Sequence, residues 1–167
     1  MGQRTLILVC GLPGAGKTTL AKELARERGA IRMCPDEWIE AVLEDPKNAR
    51  ERDRLRDPIE NLQWDLSKEY LRKGLTVILE NGLWSEAERT QYTCEGLEIG
   101  ANIELYYLEA PSFERLWERV AKRNIETADG PFVLTESDLK DAWNVFEAPT
   151  REEIEFYDDG GTVAWQD

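Results

Sequence analysis

The run Gly11-Leu12-Pro13-Gly14-Ala15-Gly16-Lys17-Thr18 has the spacing G-x-x-x-x-G-K-T. That spacing suits a loop that wraps phosphate groups. Glycines let backbone N–H groups approach phosphate oxygens closely. A helix N-terminus directly behind the loop adds partial positive charge. In such a loop Lys17 reaches the β- and γ-phosphates, and the Thr18 hydroxyl ligates Mg²⁺. Thr19 extends the set of residues facing the nucleotide. A bare strand-to-helix turn needs neither Lys17 nor Thr18.

The flanks supply the elements this chemistry requires. Leu6-Ile7-Leu8-Val9-Cys10 is an apolar run of the kind that forms a buried strand, and Thr5–Cys10 is the first expected strand. Lys17 to about Arg28 is the first helix, ended by Gly29. Further strands are expected over Ala30–Cys34, Leu75–Leu79, Asn102–Leu108 and Thr162–Trp165. Between them lie helices. Pro35-Asp36-Glu37 opens one, and Leu55, Ile59, Leu62, Leu66 and Tyr70 mark the apolar stripe of another, stopped by Gly74. Ser85 with Glu88, Thr135 with Asp138 and Thr150 with Glu153 have capping spacing. Strands alternating with helices predict an α/β chain with a parallel sheet.

Ligands of open parallel sheets bind beyond the carboxyl ends of the strands. Asp36 follows the second strand and can accept the proton of an attacking hydroxyl or help hold Mg²⁺. It equally suits a helix start. Glu80, Asn81 and Gly82 end the third strand. Glu80 is placed to act near the metal or on the substrate, and Asn81 and Gly82 permit a tight turn there. Trp84 stands at the same rim as a substrate contact, and Arg89 is a weaker candidate. The other tryptophans read as packing. Arg115, Arg119 and Arg123 recur along one helix face, as a salt-laced surface or as a line of arginines facing a nucleotide. The charge-dense stretch Glu44–Asp57 reads as a solvated helix or loop. Its alternative is a mobile substrate-side segment whose arginines hold an anion.

Composition narrows the classes. A chain of 167 residues fits one domain, 1–167, with a real core. The net charge of -13 argues against a general nucleic-acid or anionic-membrane binder. There are no histidines, so a general base must be a carboxylate or something rarer. Cys10, Cys34 and Cys94 form no C-x-x-C pair, and a reducing cytoplasm fits them. Neither a signal peptide nor a membrane span is expected.

Together these residues resemble the small P-loop kinases of the polynucleotide kinase, zeta toxin and chloramphenicol phosphotransferase type, which are AAA-type ATP-binding proteins. The resemblance rests on Gly11–Thr19, on Asp36 and Glu80, and on Arg115, Arg119 and Arg123 before a lid-like loop. It implies a P-loop NTPase three-layer sandwich, a parallel sheet ordered 2-3-1-4-5 and a short lid over about 123–135. It also implies ATP- and Mg²⁺-dependent phosphoryl transfer to a hydroxyl. By that likeness Asp36 is the base, and Arg119 and Arg123 contact adenine and phosphates. There are departures. Polynucleotide kinases carry an Arg one turn after the Asp, where this chain has Ile39 and Glu40. Their third strand ends in an Asp-Ala-Thr-like run, and here it is Glu80-Asn81-Gly82.

Three functional classes follow. The first is a kinase of a small-molecule phosphate acceptor. The second is a regulatory ATPase that binds a protein partner. The third is a polynucleotide or nucleoside kinase, which the acidic balance disfavours. A GTPase is a poor fit: N-K-x-D is missing, and the D-x-x-G at Asp158–Gly161 lies far from the loop.

Overall fold

The structure is a computed structural model and describes residues 3–45, 47–127 and 133–166. In chain order the elements are β1 (Thr5–Gly11), α1 (Lys17–Arg28), β2 (Ile31–Met33), α2 (Pro35–Val42), α3 (Ala49–Arg72) and β3 (Thr76–Gly82). These are followed by α4 (Glu86–Glu98), β4 (Asn102–Leu108), α5 (Phe113–Glu126), α6 (Glu136–Val145), α7 (Arg151–Phe156) and β5 (Asp159–Val163). The sheet order is β2-β3-β1-β4-β5 and every pairing is parallel, as the sequence predicts.

β1 is buried along its whole length because both of its faces are covered. A parallel strand in that position reads as a continuous apolar run. Its side chains alternate between two cores. Leu6, Leu8 and Cys10 pack with Trp64, Leu71 and Tyr92 from α3 and α4. Ile7 and Val9 pack with Leu24 of α1, Leu116 and Val120 of α5, and Leu139 of α6. The result is helix, sheet and helix in three layers, with the sheet's carboxyl edge left open between them. Cys10 and Cys34 are core thiols, pushed up by burial to about 12 and about 11 respectively.

Local signals set most element starts. Ser112 accepts from the Arg115 amide at the head of α5, and Thr135 and Asp138 form a reciprocal box at α6. Ser85 caps α4, while the Glu88 carboxylate accepts from the Trp84 amide. The differences from expectation have physical reasons. β5 begins at Asp159 rather than Thr162, because Gly160 pairs with Leu105. Gly160 has φ +102°, and a Cβ there would lie 2.0 Å from the Leu105 carbonyl oxygen. An acidic, glycine-rich run therefore forms a strand by close backbone approach rather than by side-chain propensity. On α3 the expected stripe is rotated. Leu62 is exposed, and the buried residues are Arg52, Gln63, Trp64, Ser67 and Leu71. β3 continues through Glu80-Asn81-Gly82, so these are strand residues rather than a turn. The lid expected over about 123–135 includes residues 128–132, which lie outside the described residues; α5 itself runs through Glu126.

Arg89 corrects a sequence expectation. It is fully buried rather than facing a substrate. Its Nε and Nη2 donate to Glu153 at 2.6 and 2.9 Å, and its Nη1 donates to the carbonyls of Leu83 and Glu147 at 2.9 Å each. The guanidinium therefore pins α7 and its preceding loop to α4. Removing it strands a carboxylate and two carbonyls. We expect Arg89→Met to lower the unfolding free energy by about 3–5 kcal/mol in a urea titration. A loss below about 0.5 kcal/mol, the range of ordinary surface changes, would contradict this role.

Candidate functional site

The loop between β1 and α1 is tight. The Ala15 amide donates to the Leu12 carbonyl at 3.1 Å. Gly14 has φ +83°, and a Cβ there would come within 2.4 Å of Val120 Cγ2. The loop therefore lies directly on α5, and a side chain at Gly14 would be both strained and blocked. Lys17 folds back over this loop, its Nζ donating to the Leu12 carbonyl at 2.8 Å. Burial lowers the Lys17 pKa, and the nearby charges of Glu80 and Asp36 oppose that shift. Lys17 is thus near enough to both carboxylates expected at the rim for their charges to act on it.

Glu80 is gripped from both sides. One carboxylate oxygen accepts from the Thr18 hydroxyl. The other accepts from Arg32 Nη1 at 2.7 Å. The Glu80 side chain is only 3% exposed, so these two partners offset the cost of burying its charge. Arg32 in turn donates from Nη2 to both oxygens of Glu37, at 2.7 and 2.6 Å. Sequence reasoning missed Arg32. Its one signal was a charge in the middle of the otherwise apolar run Ala30–Cys34.

The donors at this point are hard oxygens: the Thr18 hydroxyl and the Glu80 carboxylate. They suit Mg²⁺, which takes few protein ligands and relies on phosphates and water for the rest. Among the described residues no group of three or more His, Cys, Asp or Glu is gathered to hold a metal unaided.

Asp36 opens α2 with its side chain exposed, and one of its oxygens accepts from Arg56 Nη2 of α3. Arg56 Nη1 also donates to Glu60 at 3.1 Å. The charge-dense stretch is therefore divided. Arg54 pairs with Glu51 at the surface, as a solvated helix predicts. Arg52 is buried, and Arg56 turns toward the rim. The guanidinium that meets Asp36 thus comes from α3 and not from α2 itself, whose next turn holds Ile39 and Glu40.

Asn81 Nδ2 donates to the Tyr92 hydroxyl at 3.2 Å. Trp84 is partly buried against the α1 and α5 core, and its indole lies where a side chain at Gly82 would be. On the other side of the loop, Arg115, Arg119 and Arg123 share the α5 face with Lys122, Glu118 and Glu126. With Trp165 they line a groove of about 410 Å³. The Arg119 guanidinium lies 3.5 Å from the centre of the Trp165 ring, and its Nη1 is 3.5 Å from the Ala15 carbonyl. Trp165, which read as packing, is thus a cation–π partner of an expected nucleotide residue. Arg89 is absent from this assembly, being consumed in the ties described above.

Two further carboxylates, Glu60 of α3 and Glu88 of α4, lie close to the rim. Burial raises the pKa of each, against Arg56 for Glu60 and against the Trp84 and Ser85 amides for Glu88. A carboxylate raised in the folded state stabilises the fold fully below its unfolded pKa, and that contribution is lost as pH rises through the folded value. Glu88→Gln removes the loss and keeps an oxygen for the Trp84 amide. We expect the variant to gain stability relative to wild type at pH 7–8 and not at pH 4, in urea midpoints taken across that range. A gain that is the same at both ends would contradict the assignment.

Comparisons with known proteins agree with this geometry. Among curated proteins none matches the chain. Solved structures share its fold. A candidate kinase from Chloroflexus aurantiacus is 20% identical with a TM-score of 0.72, covering 97% of this chain and 84% of its own. Kti12 from Chaetomium thermophilum, solved with ADP-AlF3, is 20% identical with a TM-score of 0.69, over 97% of this chain and 90% of that one. A gluconokinase from Sinorhizobium meliloti is 18% identical with a TM-score of 0.64, over 98% and 83%. At these identities the likeness establishes the P-loop NTPase fold, which the parallel sheet already displays. A family model described as an AAA domain matches residues 6–149, so the chain belongs to that family of P-loop proteins.

Proposed function

We propose that this chain is an ATP- and Mg²⁺-dependent phosphotransferase whose acceptor is the hydroxyl of a small molecule. The observation that carries the reading is the phosphate-binding loop at the carboxyl end of β1, where the Thr18 hydroxyl donates to Glu80 and the charges of Glu80 and Asp36 both act on Lys17. The two carboxylates suggest two roles. Thr18 and Glu80 would hold the metal, which when bound neutralises charge on the β- and γ-phosphate oxygens. Asp36 would face the acceptor.

The acceptor oxygen attacks the γ-phosphorus and forms a new P–O bond. The bond from that phosphorus to the β,γ-bridging oxygen breaks, and ADP leaves. The acceptor's proton passes to the Asp36 carboxylate. Lys17 exchanges its Leu12 carbonyl for phosphate oxygens, and backbone amides of Gly14–Thr18 hold the rest. Arg119, already against both the loop and an indole ring, would lie on the adenine face. Arg123 would offset charge on the transferring group. With little covalent work to do, the protein contributes mainly position and electrostatics.

The structure related to an RNA repair complex containing Pnkp1 is 21% identical and shares the fold only. The cationic side chains of α5 are assigned here to the nucleotide, and a net charge of -13 disfavours a polynucleotide, so a small acceptor is the better reading. A regulatory ATPase is distinguished by its product, since water rather than an organic hydroxyl would receive the phosphoryl group.

The variants test separate parts. Asp36→Asn should reduce phosphoryl transfer about 10²- to 10⁴-fold while leaving ATP affinity within about twofold. Lys17→Met should weaken ATP binding itself, read by titration with a fluorescent ATP analogue. Full transfer by Asp36→Asn would remove Asp36 from the base role.

A further inference from the structure

Asp36, Arg56 and Glu60 are linked from the start of α2 to the body of α3. Arg56, Glu60 and Gln63 follow i, i+4, i+7 and so share one face of α3. Asn81 at the end of β3 and Tyr92 of α4 meet through their side chains. Tyr92 feels the charges of both Glu60 and Glu88, which places these carboxylates around the same end of the sheet.

Two features of these residues point to a ligand. Gln63 is fully buried, yet neither its Oε1 nor its Nε2 has a partner among the described residues. Asn81 Oδ1 is likewise buried and unpartnered among them. A buried amide without a protein partner is costly, and such groups gain most when a ligand supplies the missing hydrogen bonds. The charges are also informative. Arg56 is shared between Asp36 and Glu60. Arg32 is shared between Glu80 and Glu37. Arg89 is spent on Glu153, and Arg52 is buried and engaged. Glu88 accepts from the Trp84 amide, and the charge of Arg89 acts on it as well. With Lys17 given to the nucleotide phosphates, the described guanidinium groups here are already engaged, and an incoming anion would also meet the carboxylates Asp36, Glu60 and Glu88.

From this we infer that the polar groups gathered from α2, α3, the end of β3 and α4 receive a polyhydroxylated acceptor carrying no anionic group, with its hydroxyls or amines bonded by Glu60, Gln63 and Asn81. The inference rests on the phosphotransferase reading and names its substrate class. Glu60 accepts from a ligand hydroxyl or amine. Gln63 offers both a donor and an acceptor, and Asn81 Oδ1 offers an acceptor. Such a site selects by hydrogen bonds that an analogue lacking them leaves unmade.

The test separates a cell extract's small molecules at neutral pH into three pools: those held by a cation exchanger, those held by an anion exchanger, and those held by neither. Each pool is incubated with the full chain, Mg²⁺ and γ-labelled ATP. The expected result is labelled organic phosphate from the neutral or cationic pool and none from the anionic pool. On that acceptor, Gln63→Leu and, separately, Glu60→Gln should each raise KM roughly tenfold or more with the KM for ATP unchanged. Label from the anionic pool overturns the inference and leaves the phosphotransferase reading standing. So does an acceptor KM unmoved in both variants. Label only in inorganic phosphate, from every pool, overturns the phosphotransferase reading and this inference with it.

Discussion

Everything at the open edge of the sheet depends on how Glu80 is held. Its carboxylate joins the Thr18 hydroxyl at the head of α1 to the Arg32 guanidinium of β2, and it does so from within β3. The carboxyl ends of two strands and the start of the first helix are thereby tied at one buried charge. A carboxylate in that position is tolerable only with both oxygens matched. The same grip sets the surroundings of Lys17, whose ammonium is desolvated yet faces Glu80 and Asp36.

Around that point the site divides by charge. One wall, along α5, carries Arg115, Arg119, Lys122 and Arg123 with the Trp165 ring, and it offers positive charge and a flat aromatic surface. The opposite wall, along α2, α3 and α4, is dominated by carboxylates and amides. A nucleotide has phosphates and a base to match the first wall, and a hydroxyl to be phosphorylated has no need of positive charge at the second. The strongly acidic chain therefore keeps cationic surface where a phosphate ligand would use it.

The parts legible in the sequence were those encoded locally. The loop Gly11–Thr18, its flanking strand and helix, and the caps at Ser85, Thr135 and Thr150 each depend on neighbours within a few residues. A parallel sheet followed from the alternation of strands and helices, and its strand order from the family resemblance. What escaped was set by distant partners. Arg32 acquires meaning only beside Glu80, and Arg56 only once α3 crosses Asp36. Arg89 faces inward because Glu153 of α7 meets it there. Gly160 pairs as a strand residue because Leu105 leaves room only for a backbone. Trp165 shows its stacking role only where β5 ends beside α5.

The central claim is that the γ-phosphoryl group is delivered to an organic hydroxyl. Phosphorus NMR of the chain turning over ATP with Mg²⁺ and an unfractionated small-molecule extract tests it most directly. The account predicts a new phosphomonoester signal that grows mole for mole with ADP, while inorganic phosphate stays near the level of an enzyme-free control. ADP matched by inorganic phosphate alone would contradict it and would make the chain a nucleotide hydrolase.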